Sequence, residues 1–161
     1  MNESEKFTDI SGLEVREMAV ELQAERIEKL KRAASCFKTG NLTGKSSASY
    51  YSDEGQSLAP KISRLHRIAA EKIFKESNEN YKFSNYIDLH YLTVAEAQSI
   101  SIAFLKHHEK LRTSSIRIIT GRGNHSTGGI CKLSSAIWNL LRTEKRKYSF
   151  DGVATFTINF Q

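Results

Sequence analysis

The sequence predicts a two-layer α/β domain, a four-stranded sheet carrying two helices, preceded by a segment of three helices. Three observations point there. Apolar residues recur at helical spacing through about the first 80 positions, and alternation begins only at Tyr86. Two patterns, Ser11-x-x-Glu14 and Thr93-x-x-Glu96, have the spacing of capping boxes that open helices. Finally, the stretch from Ile116 to Leu133 passes from a short apolar strand through a glycine-rich loop into a helix.

The 161 residues, 39% of them hydrophobic, suffice for one domain or two small ones with a modest core. No apolar run approaches the ~18 residues of a membrane helix. The start, Met-Asn-Glu-Ser-Glu-Lys, lacks the basic and apolar regions of a signal peptide. The expectation is therefore a cytoplasmic or nuclear protein with no membrane partner. Cys36 and Cys131 stand far apart without zinc-ligand spacing, so two buried thiols are expected rather than a metal site or a disulfide.

In the first predicted helix Val15, Met18, Leu22, Leu30, Ala34 and Phe37 fall near one face, and Gly40 ends it. A shorter helix carries Ala48, Tyr51, Gly55 and Leu58 as far as Pro60. There a third begins, with Ile62, Leu65, Ile68, Ala69, Ile73 and Phe74 inward. The polar faces of these helices hold Lys29, Lys31, Arg32, Lys61, Arg64 and Arg67, able to meet a polyanion. The helical pattern stops at Asn78-Glu-Asn-Tyr81, and the domain boundary is placed near Ser84, giving segments 1–84 and 85–161.

The second segment opens with a strand, Tyr86–His90, whose period of two puts Asp88 and His90 on one face. The helix from Thr93 turns Ala97, Ile100, Phe104 and Leu111 inward, and Ile116–Ile119 is the second strand. After the glycine loop a helix buries Leu133, Ile137, Leu140 and Leu141. Tyr148–Phe150 and Thr155–Phe160 then flank the turn signal Asp151-Gly152.

The loop is suited to an anion. Gly121, Gly123, Gly128 and Gly129 let backbone N–H groups approach a phosphate, the next helix adds its positive end, and Arg122 and His125 add a guanidinium and an imidazole. It is not a Walker loop, because Gly129-Ile130 stands where Lys and Ser/Thr belong, and the dinucleotide fingerprint fails for want of a third glycine. A net charge of +6 favours a polyanionic partner. The cations Lys132, Arg142, Lys145, Arg146 and Lys147 are predicted on the helix that follows the loop.

If the first two strands are parallel neighbours, their carboxyl ends bring Asp88 and His90 beside Thr120–Ser126. Phosphodiester cleavage needs a base, an acid and positive groups around the phosphorane. His90 and His125 supply base and acid in some order, Asp88 orients an imidazole or stabilises its charged form, and Arg122 holds the phosphate. Metal-assisted hydrolysis is the rival, with one carboxylate where a magnesium site normally draws on more oxygens. No cofactor or metal is expected.

These residues carry a family resemblance. Ile87-Asp-Leu-His90 with Leu92 and Glu96-Ala97, and Thr120-Gly-Arg-Gly-Asn-His-Ser126, resemble the two motifs of the small MutS-related (Smr) domain across residues 85–161. Ala69-Ala-Glu-Lys-Ile-Phe74 and the stretch from Gly40 to Leu58 are similar to a helical domain of uncharacterised function that often precedes it. The resemblance implies a fold like the C-terminal domain of bacterial translation initiation factor three, and nuclease activity, in several eukaryotic relatives on messenger RNA at stalled ribosomes. By position it carries over Asp88 and His90 from the first motif and Arg122, Gly123 and His125 from the second; together with the loop chemistry above, the expected catalytic residues are Asp88, His90 and His125, and the expected nucleic-acid contacts are Arg122, Gly121, Gly123, Ser126 and Lys132. Two features depart from the motifs: Tyr91 stands where glycine is usual, and the helix after the loop lacks a starting proline. The expected function is endonucleolytic cleavage of nucleic acid, RNA before DNA. The alternative is a non-catalytic nucleic-acid or ribosome-binding module.

Overall fold

The computed structural model describes residues 7–81, 84–122 and 132–160. They form two compact units, Met1–Lys72 and Ile73–Gln161.

The first unit is made by α1 (Gly12–Lys38) and α2 (Leu42–Ser77) up to Lys72. The capping box at Ser11 forms: Glu14 N–H donates to Ser11 Oγ, and Ser11 N–H donates to the Glu14 carboxylate at 2.6 Å. Gly40, at φ +73°, takes the left-handed turn that follows α1, and Asn41 Oδ1 accepts from Gly44 N–H to start α2. Val15 and Ala19 of α1 bury against Leu65 and Ala69 of α2. Gly55 lets the helices approach closely, since a Cβ there would stand 3.0 Å from Leu30 Cδ2.

Three expectations are corrected here. The helical segment has two helices rather than three, because α2 runs unbroken through Pro60. An interior proline costs about 3 kcal/mol, but burying Ile62 and Leu65, at about 1.5–3 kcal/mol each, offsets it. The inward face of α1 is also rotated from the expected one: Ala19 and Ala33 are buried while Met18, Ala34 and Phe37 are exposed. Cys36 is free and only half-buried, and Cys131 lies outside the described residues.

The second unit has the predicted two layers. Its mixed sheet runs β1-β2-β4-β3, from β1 (Tyr86–Asp88), β2 (Ser115–Ile119), β3 (Lys147–Phe150) and β4 (Thr155–Asn159). β1 and β2 are parallel and joined by α3 (Val94–Lys110), while β4 pairs antiparallel with both β2 and β3. Ile87, Ile116, Ile118, Phe156 and Ile158 project to one buried face, as period two requires. They are covered by α3 and by α4 (Lys132–Thr143), which touch each other and contribute Ala97, Phe104, Leu105, Ile137 and Leu141. On the opposite face Tyr86, Arg117, Lys147 and Ser149 are exposed.

Both helices end two residues before a left-handed residue that is not glycine. Arg112 at φ 54° and Lys145 at φ 52° each close a pair of reverse hydrogen bonds, Thr113 N–H to His108 O and Arg146 N–H to Leu141 O among them. The basic residues expected on one helix are therefore divided. Lys132 and Arg142 lie on α4, whereas Lys145 and Arg146 are in the turn and Lys147 begins β3. Arg146 is engaged with Glu109 through two hydrogen bonds of 2.8 and 3.0 Å. Leu111, expected inward, is exposed beyond the end of α3, and its place in the core is taken by Leu105 and His108.

His108 is buried against the edge of Phe104, with Nδ1 bonded to Thr113 Oγ1 at 2.9 Å. Burial, and secondarily the neighbouring His107, hold its pKa below the ordinary histidine value, while a bond to the Ser84 backbone acts the other way. A histidine kept neutral by folding contributes stability that is complete above the unfolded pKa of ~6.5 and is lost as the pH falls through it. The denaturation midpoint should therefore drop between pH 7.5 and 5.5, and His108→Gln should flatten that drop; equal slopes in both proteins would show that another group is responsible.

Candidate active site

β1 stops at Asp88, so Asp88 and His90 do not meet as two residues of one strand face. They meet through a turn. Asp88 Oδ1 accepts from His90 N–H at 3.0 Å and lies 2.6 Å from His90 Nδ1. A carboxylate that reaches two residues ahead in this way is a local side-chain turn. It fixes the imidazole by one edge, and Nδ1–H donating to the carboxylate leaves Nε2 as the basic nitrogen on the outer edge. The His90 side chain is 38% exposed, within reach of a substrate.

The parallel pairing brings the end of β2 to the same place. Leu89 N–H donates to Ile119 O at 2.8 Å, and Gly121, at φ +79°, passes so near that a Cβ on it would stand 3.3 Å from His90 Cβ. Glycine suits 121 by its left-handed backbone, and a Cβ there would also crowd His90 Cβ. Arg122 follows and is exposed; Lys132, exposed, opens α4. The expected loop residues Gly123, His125 and Ser126 lie outside the described residues. Among the described residues, the structure brings together Asp88, His90 and Gly121.

Two supports were not foreseen in the sequence. Asn78, only 5% exposed, bonds the backbone of Asp88 on both sides: its Oδ1 accepts from Asp88 N–H at 2.7 Å and its Nδ2 donates to Asp88 O at 2.8 Å. The same amide nitrogen donates to Phe74 O. Asn78 therefore acts as one more strand residue along the free edge of β1, at the position whose side chain holds His90. A helix-terminating Asn was its only trace in the sequence. Thr120, 2% exposed, is the second support. Its Oγ1 lies 2.5 Å from Ser134 Oγ and donates to Ala154 O, tying the end of β2 to the first turn of α4 and the start of β4.

Among the described residues no group of three or more His, Cys, Asp or Glu is placed to hold a metal ion. No helix among them is long and apolar enough to cross a membrane.

Residues 87–154 match the Smr domain, and residues 13–78 match a domain of unknown function, DUF1771. The chain is 30% identical over 132 residues to human NEDD4-binding protein 2, covering 79% of this chain and 7% of that protein. It is 29% identical over 130 residues to Endonuclease NBR9 of Saccharomyces cerevisiae, covering 81% of this chain and 52% of the relative. The solution structure of the B3BP Smr domain is 28% identical, with a TM-score of 0.49, and covers 60% of this chain and 95% of that one. The chain thus spans only part of the length of either curated relative. It carries a DUF1771 segment followed by an α/β unit that belongs to the Smr domain family, a nuclease-associated family.

Proposed function

We propose that the chain is an endonuclease that cleaves RNA by histidine-based chemistry at the ends of β1 and β2. The observation that carries this reading is the 2.6 Å contact between Asp88 Oδ1 and His90 Nδ1, set beside the glycine turn at 121 that leads to Arg122. A site that only gripped phosphate would need cations and N–H groups, not an imidazole held in one orientation by a carboxylate. In the proposed step one imidazole takes the proton of the 2′-hydroxyl as its oxygen attacks phosphorus. The other gives a proton to the departing 5′-oxygen, leaving a 2′,3′-cyclic phosphate and a 5′-hydroxyl. His90 and His125 fill these two roles, while Arg122, Gly121, Gly123, Ser126 and Lys132 hold the phosphate. The name of the yeast relative supports the reaction class. Messenger RNA on cytoplasmic ribosomes is the substrate that the family resemblance suggests, and cosedimentation with ribosomes tests it.

The direct experiment is to incubate the purified chain with end-labelled single-stranded RNA and DNA, with and without EDTA, and to identify the product ends. Cyclic phosphate ends, formed in EDTA and absent when the cleaved position is 2′-deoxy, are the expected result. Equal cutting of DNA would make water the nucleophile. No cutting of either would leave a binding module.

Binding should be electrostatic and centred on the loop. Arg122→Ala and Lys132→Ala should each weaken affinity for RNA of any sequence and lower the slope of log affinity against log salt by ~0.7. An unchanged slope in both variants would place the phosphate site elsewhere.

A further inference from the structure

The sheet face opposite the helices bears an aromatic and cationic pair that the cleavage chemistry does not use. Tyr86 on the edge strand is 42% exposed, and Arg117, its direct partner on β2, sets its guanidinium carbon 5.6 Å from the ring centroid. The same row continues across the sheet through Thr157 to Ser149. Tyr86 and Asp88 are two residues apart and so project to one face, separated by about 6.6–6.8 Å. Among the described strand residues Asp88 is the one carboxylate, while Arg117 and Lys147 are cations. No carboxylate pairs with Arg117 among the described residues. A planar ring, a guanidinium and a row of hydroxyls, leading to the carboxylate that holds His90, suit an unpaired nucleobase with its phosphate. A duplex offers no base face to such a ring, because its bases are already stacked on one another.

We propose that Tyr86 and Arg117 form a stacking subsite for an unpaired base next to the phosphate to be cleaved beside His90, which selects single-stranded over duplex RNA. This rests on the reading of the Asp88–His90 site as the place of cleavage. Tyr86 supplies the ring, Arg117 supports it and neutralises the neighbouring phosphate, and Thr157 and Ser149 offer hydroxyls to the sugar–phosphate chain.

The test uses the full chain, single-stranded RNA carrying 2-aminopurine, and three variants whose folding is checked by circular dichroism. Threonine favours strands, so Tyr86→Thr keeps β1 while removing the ring. It should weaken binding about tenfold, raise KM with kcat unchanged, and abolish the quenching of 2-aminopurine. Tyr86→Phe should behave as the unaltered protein, and Arg117→Ala should lower both affinity and the salt slope. Folded Tyr86→Thr and Arg117→Ala proteins that bind, quench and cut like the parent would overturn the subsite while leaving the endonuclease reading intact. Quenching that depends on Tyr86 in a chain that cuts nothing would sink the endonuclease reading and leave the subsite standing. Failure of the parent to bind RNA at all would overturn both.

Discussion

Asp88→Asn and His90→Ala are each expected to reduce RNA cleavage by about 10² to 10⁴-fold, the usual contribution of a positioned acid or base. Neither change should unfold the chain. Both side chains are partly exposed, and the contact between them lies beyond the end of β1. Asparagine keeps an oxygen for His90 N–H, so Asp88→Asn isolates the charge of the carboxylate from its hydrogen bonding. If catalysis proceeds with two imidazoles in opposite roles, the pH–rate curve of the parent is bell-shaped and His90→Ala removes one limb. His125→Ala should remove the other. Wild-type rates in the His90 and His125 variants, measured on folded protein with single-turnover kinetics, would end the catalytic reading and favour a binding module.

The second large effect is expected from Asn78→Ala. The substitution leaves Asp88 N–H without its acceptor and the Asp88 and Phe74 carbonyls without a donor, in a place that is 5% exposed. A buried polar group stripped of its partner costs about 1–3 kcal/mol, so chemical denaturation should report a loss of that order. Cleavage should fall further than the unfolded fraction accounts for, because the backbone that aims the Asp88 carboxylate is no longer tied. Asn78→Asp should restore the acceptor but not the donor, and it adds a negative charge beside Asp88. Full activity in folded Asn78→Ala would show that β1 holds its place without this edge.

Much of this was legible before the structure. The capping boxes at Ser11 and Thr93 and the alternation of β1, β2 and β4 depend on neighbours within a few residues, and all of them formed as the local chemistry dictates. What escaped depends on the rest of the fold. Pro60 carries a local penalty that only the burial of Ile62 and Leu65 outweighs. The end of α4 falls in a run of charged residues without glycine, where Lys145 takes the left-handed turn. Asp88 and His90 were expected together for the wrong reason, strand periodicity instead of a side-chain turn. Asn78 was invisible as a partner, because an amide that mimics a strand has no sequence pattern of its own.

The bond between Thr120 and Ser134 has a consequence for how such a site can diversify. It joins the residues at which the glycine loop leaves the sheet and at which the next helix begins, with Ala154 O as a third point. The two ends of the segment between them are thereby set by the scaffold. Lengthening such a segment costs chain entropy alone, about 0.6 kcal/mol for each doubling. Loops of different length and charge could therefore be exchanged on one sheet while the carboxylate and imidazole of β1 stay where they are. Substrate choice would then evolve together with the second imidazole, His125, which that segment carries.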